Sequence, residues 1–416
     1  IETWEHLHNI RQNLDAHFVL NNDLDENTAG YTTYVKDGAT LANDGKGWEP
    51  IGDSATEFIG NFNGGGHAIK AMEINRPSQD EIGLFGRIGT SGEIVRLGLS
   101  VDISDGSNGA GGNFLVGALA GDNLGTIKET YVRGLVIGTT YVGGLVGSNN
   151  GTIENSYTTA SAKGNIVAGF AGFNSGTIIN SYSTGIIAPA MKGDTYGEFI
   201  AETEGGTVTN SYFELENLSI TFSAAGTSKT PVQMKTLSTF SNWDFDTIWA
   251  IKEGASVSYP YLQNAVEQPV PGLVEYFAGG KGTTSDPFQI KTWEHLHNIR
   301  NASNAHFKLM NDLDPATDGY SNYVEDENGL VNKGYGWRYI PSFTGTLSGA
   351  HSEGVYMIKG LKIYLPTAKT FLGLFANLGP SAIISDLMFV DAEITGNNGV
   401  GIIAGNSSGV LLRVGA

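Results

Sequence analysis

The sequence predicts an all-β chain, a parallel β-helix (β-solenoid) with short capping helices, built from a duplicated unit. Three observations predict it. A phrase recurs four times between Val116 and Tyr212, the segments between its glycines have the length and composition of strands, and a longer period copies the start of the chain further on. The phrase is Gly125-Thr126-Ile127, Gly151-Thr152-Ile153, Gly176-Thr177-Ile178 and Gly206-Thr207-Val208, at spacings of 26, 25 and 30 residues (151 − 125, 176 − 151, 206 − 176). Such periods mark solenoids, because one unit cannot bury its apolar face without a stacked neighbour. Short Val-, Ile-, Thr- and Tyr-rich runs punctuated by Gly and Asn are strand-and-turn grammar. A unit of this length holds about three strands of the usual 5–6 residues with their turns, one coil of a parallel β-helix.

Within the repeats, Ile127, Ile153, Ile178 and Val208 are expected to stack inside as a ladder. Each copy then runs into an aromatic tail: Glu129-Thr130-Tyr131, Asn155-Ser156-Tyr157, Asn180-Ser181-Tyr182 and Asn210-Ser211-Tyr212. Strict alternation would turn the tyrosines inward, whereas a bend at Asn155, Asn180 and Asn210 would turn the serines in and the tyrosines out. The bend is favoured, because Asn tolerates left-handed corners and can form a hydrogen-bonded stack. Tyr131, Tyr157, Tyr182 and Tyr212 then become an exposed stripe able to stack on sugar rings or a protein partner. The plainer alternative is a packing ladder that binds nothing.

Upstream of three copies stand Val116-Gly117-Ala118-Leu119-Ala120-Gly121, Gly143-Gly144-Leu145-Val146-Gly147 and Ala168-Gly169-Phe170-Ala171-Gly172. These runs resemble the GLUG motif of bacterial and archaeal surface proteins over residues 114–212, with Gly83-Leu84-Phe85-Gly86 and Gly373-Leu374-Phe375-Ala376 as outlying members. The resemblance implies a β-helical part of a secreted or cell-surface, adhesin-like protein. Some such proteins carry an immunoglobulin-cleaving metallopeptidase elsewhere. Its His-Glu-x-x-His signature is absent from this sequence, so the activity does not carry over.

The longer period pairs Ile1–Asp25 with Ile290–Asp314, and Trp4 with Trp293, 289 residues apart. The expected layout is a first β-helix unit at 1–265 with its C-terminal cap at 228–264, a linker at 266–278 around Pro269, Pro271 and Gly272, and a second unit at 279–416. Neither end of the sequence matches a unit boundary, which predicts a piece of a longer array. Trp4, Leu7 and Ile10 behind Thr3 predict a short capped helix closing a solenoid mouth. Tyr31–Gly47 is expected to be a loop beside the rod.

Composition bounds the function. The 416 residues include 58 Gly, no Cys and only 16% charged residues, with a net charge of −19. That charge argues against nucleic acid or anionic lipid as a partner. The missing cysteines remove disulfides, thiolate metal sites and thiol nucleophiles together. No apolar run approaches the roughly 20 residues of a membrane span, so direct insertion by this segment is not expected.

Little catalytic vocabulary is present. No nucleophile elbow, P-loop or dinucleotide fingerprint occurs. Asp23-x-Asp25-x-Asn27 starts like a calcium loop but lacks its Gly and distal Glu, leaving Asp23, Asp25 and Asn27 as weak metal candidates. His6 and His8, matched by His295 and His297, do not share a helical face. A polysaccharide lyase is the catalytic alternative, with an active face assembled outside the ladder region, for instance from His67 with Arg76 or Arg87. The expectation is therefore a non-enzymatic extracellular or surface protein without cofactor, contacting glycans or proteins of a host or neighbouring cell. The alternative is self-association into a filament, sheath or surface layer. Asn150, Asn217, Asn301 and Asn406 begin glycosylation sequons.

Overall fold

The computed structural model describes residues 1–77, 79–103, 115–191, 194–215, 222–267, 270–367 and 370–415. The sequon at Asn217 and the linker's Pro269 lie outside these residues. The chain forms two compact units, Ile1–Ile251 with Tyr259–Pro271, and Lys252–Ser258 with Gly272–Ala416. The division at 271/272 falls inside the expected linker, but Val274–Glu275 is a strand there, paired with Ser256–Val257.

In the first unit each coil runs through four parallel sheets. Sheet I stacks seven strands: His17–Val19, Asn61–Asn63, Glu93–Val95, Thr126–Lys128, Thr152–Glu154, Thr177–Ile179 and Thr207–Thr209. Ile127 pairs with Ile153, Ile153 with Ile178 and Ile178 with Val208. The repeated phrases thus lie rung on rung, and their isoleucines are fully buried in the lumen. Sheet II carries the aromatic tails, Tyr131–Ile137, Tyr157–Thr158, Tyr182–Ser183 and Tyr212–Glu214. Sheets III and IV meet at the small-residue runs, for example Tyr141–Gly143 followed by Val146–Asn149.

The small-residue runs are corners. Leu84, Leu119, Leu145, Phe170 and Phe199 sit inside that corner with no exposure, and the two phenyl rings stack at 4.6 Å. Glycine flanks the corner because the next coil is too close for a side chain. A Cβ on Gly147 would lie 2.5 Å from the backbone nitrogen of Val116. Its φ is negative, so the requirement is space rather than backbone conformation.

The corner from sheet I to sheet II is built differently. Asn155, Asn180 and Asn210 hold φ of 49°, 49° and 48°, the left-handed conformation that Asn adopts more readily than most residues. Such a corner breaks the ladder of backbone bonds, and the next residue repairs it. The amide of Thr130 donates to Ser156 Oγ (3.2 Å), Ser156 to Ser181 Oγ (3.2 Å) and Ser181 to Ser211 Oγ (3.1 Å). Each hydroxyl donates in turn to a carbonyl two residues back, as Ser156 does to Glu154 at 3.0 Å. The phrase Asn-Ser-Tyr therefore reads as turn, repair and outward ring.

The two units share their opening architecture. Thr3 caps the helix Trp4–His8 and Thr292 caps Trp293–Asn298. Trp4 meets Trp48 at 5.7 Å and Trp293 meets Trp337 at 5.7 Å, and the indole nitrogens donate to Asp25 and Asp314 carbonyls, both at 2.9 Å. The excursion Tyr31–Gly47 contains a helical turn, Tyr31–Tyr34, and a left-handed turn, Ala42–Gly45, in which Asn43 and Asp44 hold φ of 52° and 57°, on either side of a short hairpin. It is more ordered than a plain loop because Tyr31 is buried and donates to the Ala71 carbonyl at 3.0 Å.

One ion pair is reversed between the copies. Lys36 bonds Glu73 at 2.7 Å in the first unit, and Glu325 bonds Lys362 at the same two positions, 289 residues on. Lys36→Glu alone is expected to lower stability by about 1 kcal/mol, and the double change Lys36→Glu with Glu73→Lys to restore it. A denaturation cycle over the four combinations measures this coupling.

Candidate functional site

The tyrosine flank was the favoured binding stripe, and the structure corrects that expectation. The bend at Asn is present and the tyrosines do point away from the lumen, yet they are not exposed. Tyr131, Tyr157 and Tyr182 have exposures of 3%, 1% and 0%, and Tyr212 is half-buried. They form a separate hydrophobic cluster with Met234, Phe240, Trp243, Trp249, Tyr259 and Leu262. The rings of Tyr157 and Tyr182 lie parallel at 4.9 Å, and those of Tyr131 and Tyr157 at 5.5 Å. The tyrosines pack as a buried ladder.

What covers the ladder is the segment expected to close the end of the solenoid. Thr230 and Gln233 form a reciprocal capping box on the helix Pro231–Met234, after which the chain runs back along sheet II as a strap. Trp243 Nε1 donates to the Asn210 carbonyl at 2.9 Å, and Trp249 Nε1 to Asn155 Oδ1 at 3.2 Å. Tyr182 donates its hydroxyl proton to the Pro260 carbonyl at 2.6 Å, Asn264 reaches Glu129 at 3.3 Å, and the Val266 amide bonds the Gly66 carbonyl at 2.8 Å. The strap thus descends from the seventh rung of sheet I to the second. An aromatic stripe turned out of the lumen is apolar surface, and burying it stabilises the fold by roughly 25 cal/mol per Å². Length and aromatic content suit residues 231–251 and 259–267 for that flank.

Burial drives the phenol pKa values upward. Tyr131 is pushed to about 12, and Tyr157 and Tyr182 well above the ordinary 10, in each case chiefly by desolvation. The unfolded chain would ionise these groups near pH 10 while the folded chain holds them protonated. Their contribution is complete below that pH and is lost progressively as pH rises from there toward the folded-state values, for Tyr131 about 12. Stability of the first unit is therefore expected to fall steeply above pH 10, which denaturant titrations across the alkaline range would read.

The corner asparagines also serve the strap. Asn210 Nδ2 donates to Asn180 Oδ1 at 3.3 Å, and Asn242 Nδ2 donates to Asn210 Oδ1 at 3.2 Å. A second asparagine ladder went unread in the sequence. Asn123 Nδ2 donates to Asn149 Oδ1 and Asn149 Nδ2 to Asn174 Oδ1, both at 2.8 Å, and all three are fully buried on sheet IV. The signal was available, since each stands two residues before the Gly of a Gly-Thr-Ile phrase.

The metal candidates do not converge. Asp23 accepts from Lys70 Nζ at 2.7 Å and from the Ala68 amide at 2.9 Å, with His67 Nδ1 at 3.2 Å. Asp25 Oδ1 accepts from the Asn27 amide (2.9 Å) and Thr28 hydroxyl (3.0 Å), closing a turn. Asn27 enters through its backbone. Among the described residues no group of three His, Asp or Glu is placed to hold a metal. The second copy repeats the first pairing, with Lys359 on Asp312 at 2.7 Å. That duplication assigns Asp23 and Lys70 to the fold.

The groups required by a lyase are likewise occupied apart from one another. His67 faces Asp23, and Arg76 Nε donates to the Trp48 carbonyl at 2.8 Å. Arg87 lies between Asp122, Glu81 and Glu57 at 2.7, 3.2 and 3.7 Å. His6 Nδ1 accepts from the Glu2 amide at 3.3 Å, while His8 stacks on Tyr34 at 4.4 Å.

No family model matches the chain. A protein of Evansella cellulosilytica provisionally named Gly-rich membrane protein is 42% identical over 134 residues, 32% of this chain and 14% of that protein. Halomucin of Haloquadratum walsbyi is 35% identical over 99 residues, 23% of this chain and 1% of its own length. The chain therefore matches only a small part of these curated relatives. Among solved structures, a Bacteroides ovatus chain provisionally named an immunoglobulin A1 protease aligns with a TM-score of 0.40 and 16% identity, over 62% of this chain and 90% of that one. No described helix is long and apolar enough to cross a membrane. The fold itself is a β-solenoid whose aromatic flank is sealed by its own strap.

Proposed function

We propose that this chain is a non-enzymatic, β-helical scaffold of an extracellular or cell-surface protein, with GLUG-type repeats forming its regular coils. The observation that carries this reading is where the polar groups are used. Corner serines, buried asparagines and the Asp23–Lys70 and Arg87–Asp122 pairs bond one another within the stack. A chain organised in this way holds a surface rigidly at a distance. Repeated coils in tandem units would multiply weak contacts with glycans or proteins. The relatives named a membrane protein and a halomucin agree with a surface location.

Antibody labelling of intact source cells, with and without permeabilisation, tests the location. Label on intact cells is expected. Signal only after permeabilisation would overturn the reading. In parallel, incubation with acidic polysaccharides should release no unsaturated sugars.

A further inference from the structure

The two units differ sharply at one matched place. In the first, Arg11 is flanked by Glu49, with Nε 3.8 Å from its carboxylate, and Lys46 and Asn75 occupy the neighbouring backbone pair. Adding the 289-residue offset, the second unit has Arg300, Arg338, Tyr335 and Tyr364. The acid has become a second guanidinium, and two polar side chains have become aromatic ones.

A cleft lies at this place in the second unit. It measures about 280 Å³ and is lined by His297, Asn322, Tyr323, Asn332 and Arg338, among others. Arg300 donates to the carbonyls of His297 (2.8 Å) and Arg338 (2.7 Å), so its guanidinium is fixed beside the cleft. Among the described residues neither arginine has a carboxylate in salt-bridge range, although the chain as a whole carries −19. His297 Nδ1 is buried without a hydrogen-bond partner, whereas its counterpart in the first unit, His8 Nδ1, has Arg11 Nη1 at 3.2 Å. Desolvation, then Arg300 and Arg338, pull the His297 pKa down to about 4. The imidazole is thus neutral near pH 7 and adds no charge to the cleft. Tyr335, next to the cleft-lining Gly336, is 44% exposed, and Tyr364, whose amide donates to the Tyr335 carbonyl at 3.0 Å, is 49% exposed.

An unneutralised arginine, neutral amide and imidazole groups, and exposed aromatic faces together match an acidic sugar. Its carboxylate suits the guanidinium fork. Its hydroxyls suit the side-chain amides of Asn322 and Asn332, and its C–H face suits a tyrosine ring. We propose that this cleft in the second unit is a binding site for a uronic-acid residue of an acidic glycan, with Arg338 taking the carboxylate and Tyr335 and Tyr364 flanking the sugar. The first unit lacks the site because Glu49 would repel the carboxylate. Only the biological source of the glycan rests on the surface-scaffold reading, and the binding site stands on its own residues.

Calorimetric titration of the purified 416-residue chain with a galacturonic-acid oligomer tests the site, with the neutral galactose oligomer and inorganic sulfate as parallel arms. Saturable binding of the acidic oligomer is expected. Arg338→Glu, which recreates the arginine–glutamate arrangement of the first unit, should weaken it about tenfold or more, the loss of one charge-assisted hydrogen bond. Tyr335→Ala should also weaken it, while thermal unfolding of both variants stays close to the parent. Absence of saturable binding, equal binding by Arg338→Glu, or equal binding of the neutral oligomer would overturn the proposal. Sulfate binding as tightly as the oligomer would also overturn it, by showing a bare anion site. A chain that binds the oligomer but lies inside the cell would remove the surface reading and keep the site. A surface chain that fails to bind would do the reverse.

Discussion

Trp249→Ala is expected to destabilise the first unit by about 3–5 kcal/mol, the range for truncating a fully buried tryptophan. The indole is 0% exposed and lies 6.1 Å from Tyr157, 6.1 Å from Tyr182 and 4.4 Å from Trp243, centroid to centroid. Its removal opens the middle of the strap while leaving the coils intact. Protease should therefore cut within residues 231–267 before it cuts any rung. Trp249→Phe keeps most of the packing and loses the bond to Asn155 Oδ1, so a smaller loss of about 1–3 kcal/mol is expected. Urea unfolding and timed proteolysis read both effects. An Ala variant as stable and as protease-resistant as the parent would show that the strap contributes nothing.

Asn149→Ala should have an effect of similar size for a different reason. Asn149 stands in the middle of the buried amide stack, so truncation removes its bonds to Asn123, Asn174 and the Thr177 carbonyl and strands Asn174 Oδ1 from its donor. Buried polar groups without partners cost about 1–3 kcal/mol each, giving an expected loss of about 2–4 kcal/mol. The adjacent Asn150 is itself exposed, and the buried Asp122 that it bonds keeps its pair with Arg87 when Asn150 is truncated. Asn150→Ala should change stability by less than about 1 kcal/mol, as surface substitutions usually do. The contrast between adjacent asparagines separates a structural ladder from general loss of polarity. Equal effects at the two positions would contradict the ladder.

The coils were legible because each depends on a local rule repeated in register. Gly-Thr-Ile at near-constant spacing specified which residues stack, and Ile127, Ile153, Ile178 and Val208 do so. The left-handed corner at Asn155 followed from what Asn tolerates. The fate of the tyrosines was not legible. Their cover lies outside the repeats, at Trp243, Trp249 and Leu262, and no periodicity connects a strap to the surface it crosses. The same segment looked like an end cap because its aromatic content required burial somewhere and the sequence does not say against what. The buried asparagines were missed although their offset is regular, since Asn before Gly reads first as a turn. The acidic-sugar cleft depends on the fold bringing Arg338 beside Arg300, 38 positions away in the chain, and beside the neighbouring His297.

The most direct test of the account is the chemical accessibility of the tyrosine ladder. Tetranitromethane modifies exposed phenolate, so both burial and raised pKa values should protect these residues. Peptide mapping after mild treatment of the native chain should find Tyr335 and Tyr364 nitrated, with Tyr131, Tyr157 and Tyr182 untouched until urea is added. Nitration of Tyr157 and Tyr182 in the native chain, at the rate seen in the unfolded one, would contradict the sealed flank.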